Sequence, residues 1–250
     1  MTQVLETRLL NKRFGGIVAT HDVSIALARG ARQALIGPNG AGKTTLVNLL
    51  TGMLEPTSGS VLLEGEDITA LAAHERARRG LVRTFQINQL FDTLTPLSTL
   101  TLAIAQREGR GLALFSPLAR ESALVDEAAD LAARLHLADV MDRRVSLLPY
   151  GKRRLLEIAI ALASRPRVLL LDEPMAGVPG GESREILDTL AALPGDVSVL
   201  LIEHDMDIVF RFATRLVVLV NGAVLAEGPA DAIARDPRVK AVYLGTGVDG

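Results

Sequence analysis

The sequence contains no cysteine and no tryptophan, and only 3% of its 250 residues are aromatic. The absence of cysteine excludes disulfides, thiolate metal sites and cysteine nucleophiles, and it is compatible with a reducing cytosol. No apolar run approaches the roughly 18 residues that a membrane-spanning helix needs. The N-terminal segment lacks the charged and apolar regions of a signal peptide, so we expect none. Lys and Arg total 27 against 29 for Asp and Glu, which argues against a nucleic-acid partner bound through a strong basic field.

Short apolar runs are present instead, and they predict a buried parallel sheet. The predicted strands alternate with predicted helices in the second half of the chain, as in α/β proteins. Near the N-terminus, Val23, Ile25 and Leu27 alternate with small or polar residues, which indicates a half-buried strand of an antiparallel sheet. Asn221-Gly222 predicts a hairpin. The other predicted strands are 59–64, 81–85, 168–172, 197–202 and 216–220, and the predicted helices are 152–163, 181–193, 206–213, 230–235 and 237–244.

The most informative segment matches Gly-x-x-x-x-Gly-Lys-[Ser/Thr], a loop that wraps nucleotide phosphates. Apolar residues 34–36 precede it as the end of a buried strand, and residues 46–50 follow it at helical spacing. This strand–loop–helix context is the one that the phosphate-binding motif requires. The alternative interpretation, a Gly-rich turn without a chemical role, would not require such a context. The candidate nucleotide-binding residues are Gly37, Pro38, Asn39, Gly40, Ala41, Gly42, Lys43, Thr44 and Thr45.

The chemistry of this phosphate loop follows from its residue types. Glycines lack a Cβ atom, so backbone N–H groups can converge on an anion. The helix that follows directs its positive end at the same place. Lys43 adds a positive charge for the β- and γ-phosphates, and the Thr44 hydroxyl suits Mg²⁺.

Polar side chains follow three of the predicted strands. Asp172 and Glu173 end an apolar strand, where one carboxylate can hold Mg²⁺ and the next can orient an attacking water. Alone, this pair could equally be a solvated strand end, and the phosphate loop favours the functional interpretation. His204 follows the next strand and is expected at the same carboxyl edge, where ligands bind in open α/β sheets. Gln86 ends another strand, and its amide can serve as a ligand or hydrogen-bonding group.

The order of these residues resembles that of the ATPase subunit of an ABC transporter, and the resemblance covers nearly the whole chain. It implies an α/β fold: a P-loop NTPase core with a mainly parallel sheet, an N-terminal antiparallel β subdomain and an inserted α-helical subdomain. The nucleotide-binding core would be residues 1–86 and 156–250. Residues 87–155 would form the helical insertion that carries the signature segment.

The resemblance also implies roles and cofactors, namely ATP and Mg²⁺. Phe14 would stack on the adenine, although an ordinary core or surface aromatic is the alternative. Asp172 would hold the Mg²⁺ shell, Glu173 would act on the water, and His204 would contact the γ-phosphate. Gln86, as a metal and catalytic residue, would link the metal site to the helical insertion.

The partners implied by the resemblance are transmembrane permease subunits and, indirectly, a periplasmic solute-binding protein. A second ATPase subunit, identical or a paralogue, would complete a dimer that sandwiches two ATP molecules. The chain would then lie peripherally on the cytoplasmic face of the inner membrane.

Two positions depart from the family pattern. The usual signature Leu-Ser-Gly-Gly-Gln is Leu-Pro-Tyr-Gly-Lys at 148–152. Pro149 has neither a hydroxyl nor an N–H. Pro179 stands where the family usually has Asp or Asn. Both segments normally serve the nucleotide of the opposite subunit, so a dimer with a paralogue is expected to have two unequal ATP sites.

The opposite nucleotide would then depend on Tyr150, Gly151 and the helix that follows them. Lys152 lies at the start of that helix, where a positive charge opposes the dipole. Either a bound γ-phosphate compensates for this charge, or Lys152 belongs to a solvated basic face without phosphate contact.

A finer resemblance is to ATPases of branched-chain amino-acid importers. Urea importers and other amide or carboxylate importers share the same features, so the cargo stays open. The features are Phe14-Gly-Gly, Arg83-Thr-Phe-Gln86, the Tyr-Gly signature, an insert at 111–116, Ile202-Glu-His-Asp-Met206 and the Tyr243-Leu-Gly ending.

Three alternatives remain at this point. The same fold could drive an exporter. A soluble ABC ATPase acting on DNA or ribosomes would need a long coiled coil, tandem cassettes or a basic arm, and none is visible. A nucleotide-binding regulator without turnover is disfavoured by Asp172, Glu173 and His204, whereas Pro149 leaves it open.

Overall fold

The computed structural model describes residues 2–84, 90–110, 122–179 and 182–244. Its residues group into two units by proximity. The first comprises Met1–Val82, Arg167–Glu173 and Pro194–Gly250, and the second comprises Arg83–Pro166 and Pro174–Leu193. The predicted division into 1–86, 87–155 and 156–250 stays a prediction about domains.

A five-stranded antiparallel sheet forms one part of the first unit. Its order is β2-β1-β5-β6, and β3 also pairs with β1. The strands are β1 (Gln3–Phe14), β2 (Ile17–Val23), β3 (Ala26–Ala28), β5 (Ser58–Leu63) and β6 (Glu66–Asp67).

The half-buried strand predicted around residues 23–27 is in fact divided between β2 and β3. Asp22 has a positive φ of 47°, and the Ser24 hydroxyl accepts a hydrogen bond from the Leu9 N–H at 2.9 Å. As a result β2 pairs with the second half of β1, and β3 pairs with its first half. Alternation of side chains alone does not reveal such a change of partner segment.

A mainly parallel, six-stranded sheet is ordered β11-β10-β4-β9-β8-β7. Strands β8 and β9 are buried at every position, which explains their continuous apolar sequences. The antiparallel pair β10–β11 is joined at Asn221-Gly222, as predicted. The strands are β4 (Arg32–Ile36), β7 (Leu81–Arg83), β8 (Val168–Asp172), β9 (Ser198–Ile202), β10 (Arg215–Val220) and β11 (Ala223–Pro229).

Helices complete both units. The first unit contains α1 (Lys43–Thr51), α2 (Ala73–Arg78), α7 (Met206–Phe212), α8 (Ala230–Ile233) and α9 (Pro237–Leu244). The second contains α3 (Pro96–Arg107), α4 (Ser122–Arg134), α5 (Tyr150–Ala163) and α6 (Ser183–Ala191), with 3-10 turns at Ala138–Val140 and Val145–Leu147.

The helical character of the second unit agrees with the pattern of its sequence. Leu124, Ala128 and Leu131 of α4 are buried, and because they are three or four residues apart they lie on one face of the helix. Across the four described stretches of chain, no helix combines the length and the apolarity that a bilayer crossing demands.

Candidate nucleotide site

Three parallel strands end side by side and bring the candidate residues to one sheet edge. Leu35 in β4 and Asp172 in β8 are both paired with Ile202 in β9, from opposite sides. The phosphate loop therefore begins next to the segment that carries His204, and Asp172-Glu173 follows the strand on the other side of that segment. The sequence predicted this common edge for Asp172 and His204, and the register confirms it.

The phosphate loop leads from β4 into α1 with two glycines in tight surroundings. Gly42 is the N-cap of α1 with φ of 98°, and a Cβ atom there would lie 2.5 Å from the Ala19 carbonyl oxygen. A Cβ atom on Gly37 would overlap the Leu219 carbonyl oxygen. A side chain at either position would force the loop away from the adjoining strands, so the loop requires glycine there.

Lys43, the first residue of α1, lies across the loop. Its ammonium donates to the carbonyl oxygens of Gly37 at 2.6 Å and Pro38 at 3.0 Å. Burial lowers the pKa of Lys43, while the nearby charges of Glu173 and Asp172 act in the opposite direction. An anion in the loop would give this partly desolvated ammonium a stronger acceptor than a neutral carbonyl.

Asp172 and Glu173 differ in their surroundings. Asp172 is buried, whereas Glu173 is partly accessible. Glu173 has a positive φ of 46°, and its N–H donates to the Ile202 carbonyl at 2.9 Å. A left-handed backbone costs a non-glycine residue roughly 1–2 kcal/mol. Such strain is typical of functional positions.

His204 is close to Glu173 and to a further carboxylate. The Nδ1 atom of His204 lies 3.6 Å from Oε1 of Glu173, and the His204 ring is largely exposed. The backbone N–H of His204 donates to Oε2 of Glu203 at 3.2 Å. Glu203 is only 2% exposed and was not among the predicted site residues. Its position directly after an apolar strand, like that of Glu173, was the available signal.

The residues at this edge fit Mg²⁺ bound together with a nucleotide. Asp172 would supply a carboxylate oxygen and Thr44 a hydroxyl. Within the residues that the structure describes, no three acidic or histidine side chains converge as a metal cage. Mg²⁺ is usually held by one or two carboxylates, water and substrate phosphates.

Phe14 ends β1 and lies before the Gly15-Gly16 turn. The residue is 46% exposed, and the Lys12 ammonium lies 5.2 Å from the ring centroid. An exposed ring face can accept a stacked base. The assignment of Phe14 to the adenine stays a prediction.

The signature segment begins α5 in the second unit. Pro149 occupies the N-cap and makes no side-chain capping bond. The Gly151 N–H instead donates to Oε2 of Glu182 at 2.5 Å, so a carboxylate from before α6 caps the helix. The Tyr150 hydroxyl donates to the Ala176 carbonyl at 3.1 Å, which ties α5 to the loop that contains Pro179.

Lys152 is surrounded by acceptors. Its Nζ atom lies 2.6 Å from the His136 carbonyl oxygen, 3.2 Å from Asp139 Oδ1 and 3.1 Å from Glu185 Oε2. Only 16% of the side chain is exposed. Three acceptors match the three donors of an ammonium, so these contacts favour a structural role for Lys152 over a phosphate contact. Gln86 and the insert 111–116 lie outside the described residues.

Comparisons with known proteins agree with this arrangement. A family model described as ABC transporter matches residues 20–176. A second one, described as branched-chain amino acid ATP-binding cassette transporter, matches residues 223–249.

Relatives of similar length support the same assignment. The chain is 39% identical over 249 residues to the high-affinity branched-chain amino acid transport ATP-binding protein BraF of Pseudomonas aeruginosa, covering 97% of this chain and 98% of BraF. It is 38% identical over 251 residues to LivG of Escherichia coli K12, which has the same description, with the same coverage. The crystal structure of the ADP conformation of MJ1267, an ATP-binding cassette of an ABC transporter, superposes with a TM-score of 0.84 at 33% identity, over 98% of this chain and 100% of that one.

Proposed function

The chain belongs to the ABC transporter family, and we propose that it is the ATP-hydrolysing subunit of an importer of branched-chain amino acids. Membership of this family makes the chain an ATP-binding protein that couples ATP hydrolysis to transport. The observation that carries the proposal is the convergence of Lys43, Asp172, Glu173 and His204 at one sheet edge. The cargo is inferred from the family model over residues 223–249 and from the relatives.

ATP binding would depend on the phosphate loop. The N–H groups at the start of α1 would donate to phosphate oxygens, with the helix dipole in support. Lys43 would exchange its two carbonyl acceptors for the β- and γ-phosphates. Phe14 would contact the adenine. Mg²⁺, held by Thr44, Asp172 and Gln86, would neutralise phosphate charge.

Hydrolysis would depend on positioning and electrostatics. The Glu173 carboxylate would accept a hydrogen bond from a water and align it with the γ-phosphorus. His204, 3.6 Å from Glu173, would contact a γ-phosphate oxygen. Its largely exposed ring leaves room for this contact.

A second ATPase subunit would complete each nucleotide site. This chain would offer Tyr150 and Gly151 to the opposite nucleotide, without the hydroxyl that Pro149 lacks. If the partner is a paralogue with a standard signature, the ATP on this chain's own loop would receive all the contacts of that signature. The ATP on the partner's loop would lack the contact of the signature hydroxyl.

Permease subunits would hold the chain peripherally at the cytoplasmic face of the inner membrane. A groove of about 330 Å³ in the helical unit supports a docking place for them. Phe91 and Leu102 on its wall are 66% and 38% exposed, which is unusual for large apolar side chains without a partner. The groove is lined by Leu90, Phe91, Thr99, Leu102, Ala103, Gln106, Ile160 and Ser164. A periplasmic solute-binding protein would deliver the cargo on the other side.

The ATPase assignment is tested by separating ATP binding from turnover. Lys43→Ala should remove most ATP affinity in a titration with a fluorescent ATP analogue, because no other loop side chain is positively charged. Glu173→Gln should retain ATP affinity, lose most turnover and accumulate as an ATP-bound dimer. Lys240→Ala and Glu55→Gln, at exposed positions, are the matched controls. Normal ATP affinity in Lys43→Ala, or full turnover in Glu173→Gln, would contradict the assignment.

The importer assignment requires the assembled complex. Because the chain has no cysteine, Phe91→Cys provides a single site for cross-linking to the permease. We expect a cross-link from Phe91→Cys and none from a cysteine at the exposed Glu55. Uptake of leucine, isoleucine or valine into proteoliposomes loaded with ATP should require the solute-binding protein. ATP-driven release in the opposite direction would indicate an exporter.

A further inference from the structure

The turn between β10 and β11 makes contacts beyond its own hairpin. Val220 pairs with Ala223, so Asn221-Gly222 is a two-residue turn, and both residues have the positive φ that a type I′ turn requires, 47° and 79°. The N–H and carbonyl of Gly222 lie outside the ladder that joins the two strands. Gly222 is nevertheless buried, so these groups need partners in other segments.

Both polar groups of Gly222 find such partners in the first unit. Its N–H donates to the carbonyl of Ala41 in the phosphate loop at 2.9 Å. Its carbonyl accepts a hydrogen bond from the N–H of His21 in β2 at 2.8 Å. The turn therefore joins β2 to the phosphate loop through two backbone hydrogen bonds, which we call the Gly222 bridge.

The three segments are too close for a side chain at this point. A Cβ atom on Gly222 would lie 2.8 Å from the carbonyl oxygen of Ala19 in β2, and a Cβ atom on Gly42 would lie 2.5 Å from the same oxygen. A side chain at position 222 would therefore push β2 and the turn apart. The backbone groups of the phosphate loop depend on this close approach for their position.

The bond to Ala41 orients one peptide group of the phosphate loop. The carbonyl and N–H of a trans peptide point to opposite sides. Because Gly222 holds the Ala41 carbonyl, the Gly42 N–H of the same peptide is directed away from the turn. Gly42 is the N-cap of α1, and N–H groups at this end of the helix are the donors proposed above for the phosphate oxygens.

The bond to His21 acts on the other part of the nucleotide site. His21 lies in β2, which follows β1 through the Gly15-Gly16 turn, and Phe14 of β1 is paired with Ile17 of β2. A bond that holds β2 therefore also holds the hairpin that carries Phe14, the residue proposed to contact the adenine.

We propose that Gly222 is a positioning residue of the nucleotide site, which fixes the base-binding hairpin β1–β2 relative to the phosphate loop. ATP, which has both a base and phosphates, should depend on the bridge more strongly than a ligand that has phosphates alone. This inference rests on the proposed function, because it requires that the loop binds phosphates and that Phe14 contacts the adenine.

The first test compares two glycines in the same kind of turn. Gly65 lies in the two-residue turn between β5 and β6 and has a φ of 83°, but a Cβ atom there would meet no atom within 4 Å. Gly222→Ala and Gly65→Ala therefore share the backbone strain, and only Gly222→Ala disturbs the bridge. Gly222→Ala should weaken Mg²⁺–ATP binding about tenfold or more in calorimetric titrations, the loss expected for two hydrogen bonds. Gly65→Ala should stay within about twofold.

The second test removes one bond of the bridge without adding a side chain to the turn. β2 is an edge strand, and the His21 N–H points to Gly222 rather than to β1, so proline is tolerable there. His21→Pro removes this N–H, whereas the control His21→Ala retains it. His21→Pro should weaken Mg²⁺–ATP binding about three- to tenfold and leave Mg²⁺–tripolyphosphate binding within about twofold. His21→Ala should leave both affinities within about twofold.

Three results would overturn the inference. One is an ATP affinity of Gly222→Ala no lower than that of Gly65→Ala. Another is equal ATP affinity in His21→Pro and His21→Ala. The third is an equal loss of ATP and tripolyphosphate affinity in His21→Pro, because general loosening of the structure would then explain the effect.

Two variants measured in parallel separate this inference from the proposed function. Normal binding of both ligands to Lys43→Ala would refute the assignment of the loop. A Phe14→Ala variant that still prefers ATP over tripolyphosphate as strongly as the unchanged protein would refute the adenine contact. If both variants behave as proposed and His21→Pro binds ATP normally, only the role of Gly222 is refuted.

Discussion

Arg76 is a buried arginine that closes the C-terminal end of α1, the helix that begins in the phosphate loop. Its side chain is 1% exposed. Nη1 donates to the carbonyls of Leu49 at 2.7 Å and Leu50 at 2.8 Å, Nη2 donates to Thr69 at 2.7 Å, and Nε donates to Leu71 at 3.0 Å. The last turn of α1 contains no basic residue, so Arg76 from α2 supplies the positive charge that a helix C-terminus favours.

Removing this guanidinium would leave four carbonyl groups without their donor, and the expected loss in the free energy of unfolding follows from that number. Each buried acceptor that loses its donor costs about 1 kcal/mol or more. Burial lowers the pKa of Arg76, which shows that holding the charge there also has a cost. Offsetting that cost against the four lost bonds, we expect Arg76→Met to reduce the free energy of unfolding by about 3 kcal/mol. Arg76→Lys should lose somewhat less, because an ammonium has three donors and no planar fork.

The assay is urea denaturation of the three proteins, with Arg78→Met as the control. Arg78 lies two residues further along α2 and is exposed, so its replacement should change stability by less than about 0.5 kcal/mol. ATP affinity should fall in Arg76→Met, because α1 frays at the end opposite the loop. A loss below about 1 kcal/mol for Arg76→Met with an unchanged m-value would refute the reasoning.

Three further predictions concern the helical unit. Pairing with Arg107 lowers the pKa of Glu127 to about 2 from 4.5, so its stabilisation is present above pH 4.5 and is lost as the pH falls toward 2. Glu127→Gln should therefore reduce the free energy of unfolding at pH 7 by about 1 kcal/mol, after allowance for solvent screening, and match the unchanged protein at low pH. A difference in the free energy of unfolding that stays constant across pH would contradict this. Gly151→Ala should destabilise, because its Cβ would overlap the Glu182 carboxylate, and the loss should not add to that of Glu182→Ala; additive losses measured by thermal unfolding would argue against the contact. Lys152→Met should destabilise by about 1–2 kcal/mol and leave the ATP dependence of turnover unchanged, whereas a shifted ATP dependence would indicate a phosphate contact.

The sequence was sufficient to predict the phosphate loop and its surroundings, because local rules determine them. A glycine-rich loop between an apolar strand and a helix can be recognised within 15 residues or so. The common edge of Asp172 and His204 also followed, since the carboxyl ends of parallel strands meet at one edge of the sheet. The roles of these residues in catalysis remain predictions that the variants above can test.

Contacts between distant segments could not be predicted. Arg76 lies in a polar stretch of the sequence, where nothing distinguishes it from its exposed neighbour Arg78. Glu182 likewise has no local pattern that identifies it as the cap of α5.

The arrangement at α5 explains how the signature helix can begin without the usual serine. Pro149 provides no cap, but the Glu182 carboxylate accepts a hydrogen bond from the Gly151 N–H. Lys152 lies at the helix N-terminus, where the dipole disfavours a positive charge, and Asp139 and Glu185 neutralise it. The helix is thus stable without a nucleotide at its N-terminus. A phosphate of the opposite subunit could use the Gly151 N–H only if the Glu182 carboxylate withdrew, which adds a cost at that site. In a dimer with a paralogue that carries the serine, the site served by this signature should therefore turn over more slowly than the one served by the partner. If Glu173→Gln and the equivalent change in a paralogous partner reduce the ATPase rate of the assembled transporter equally, that inequality is wrong.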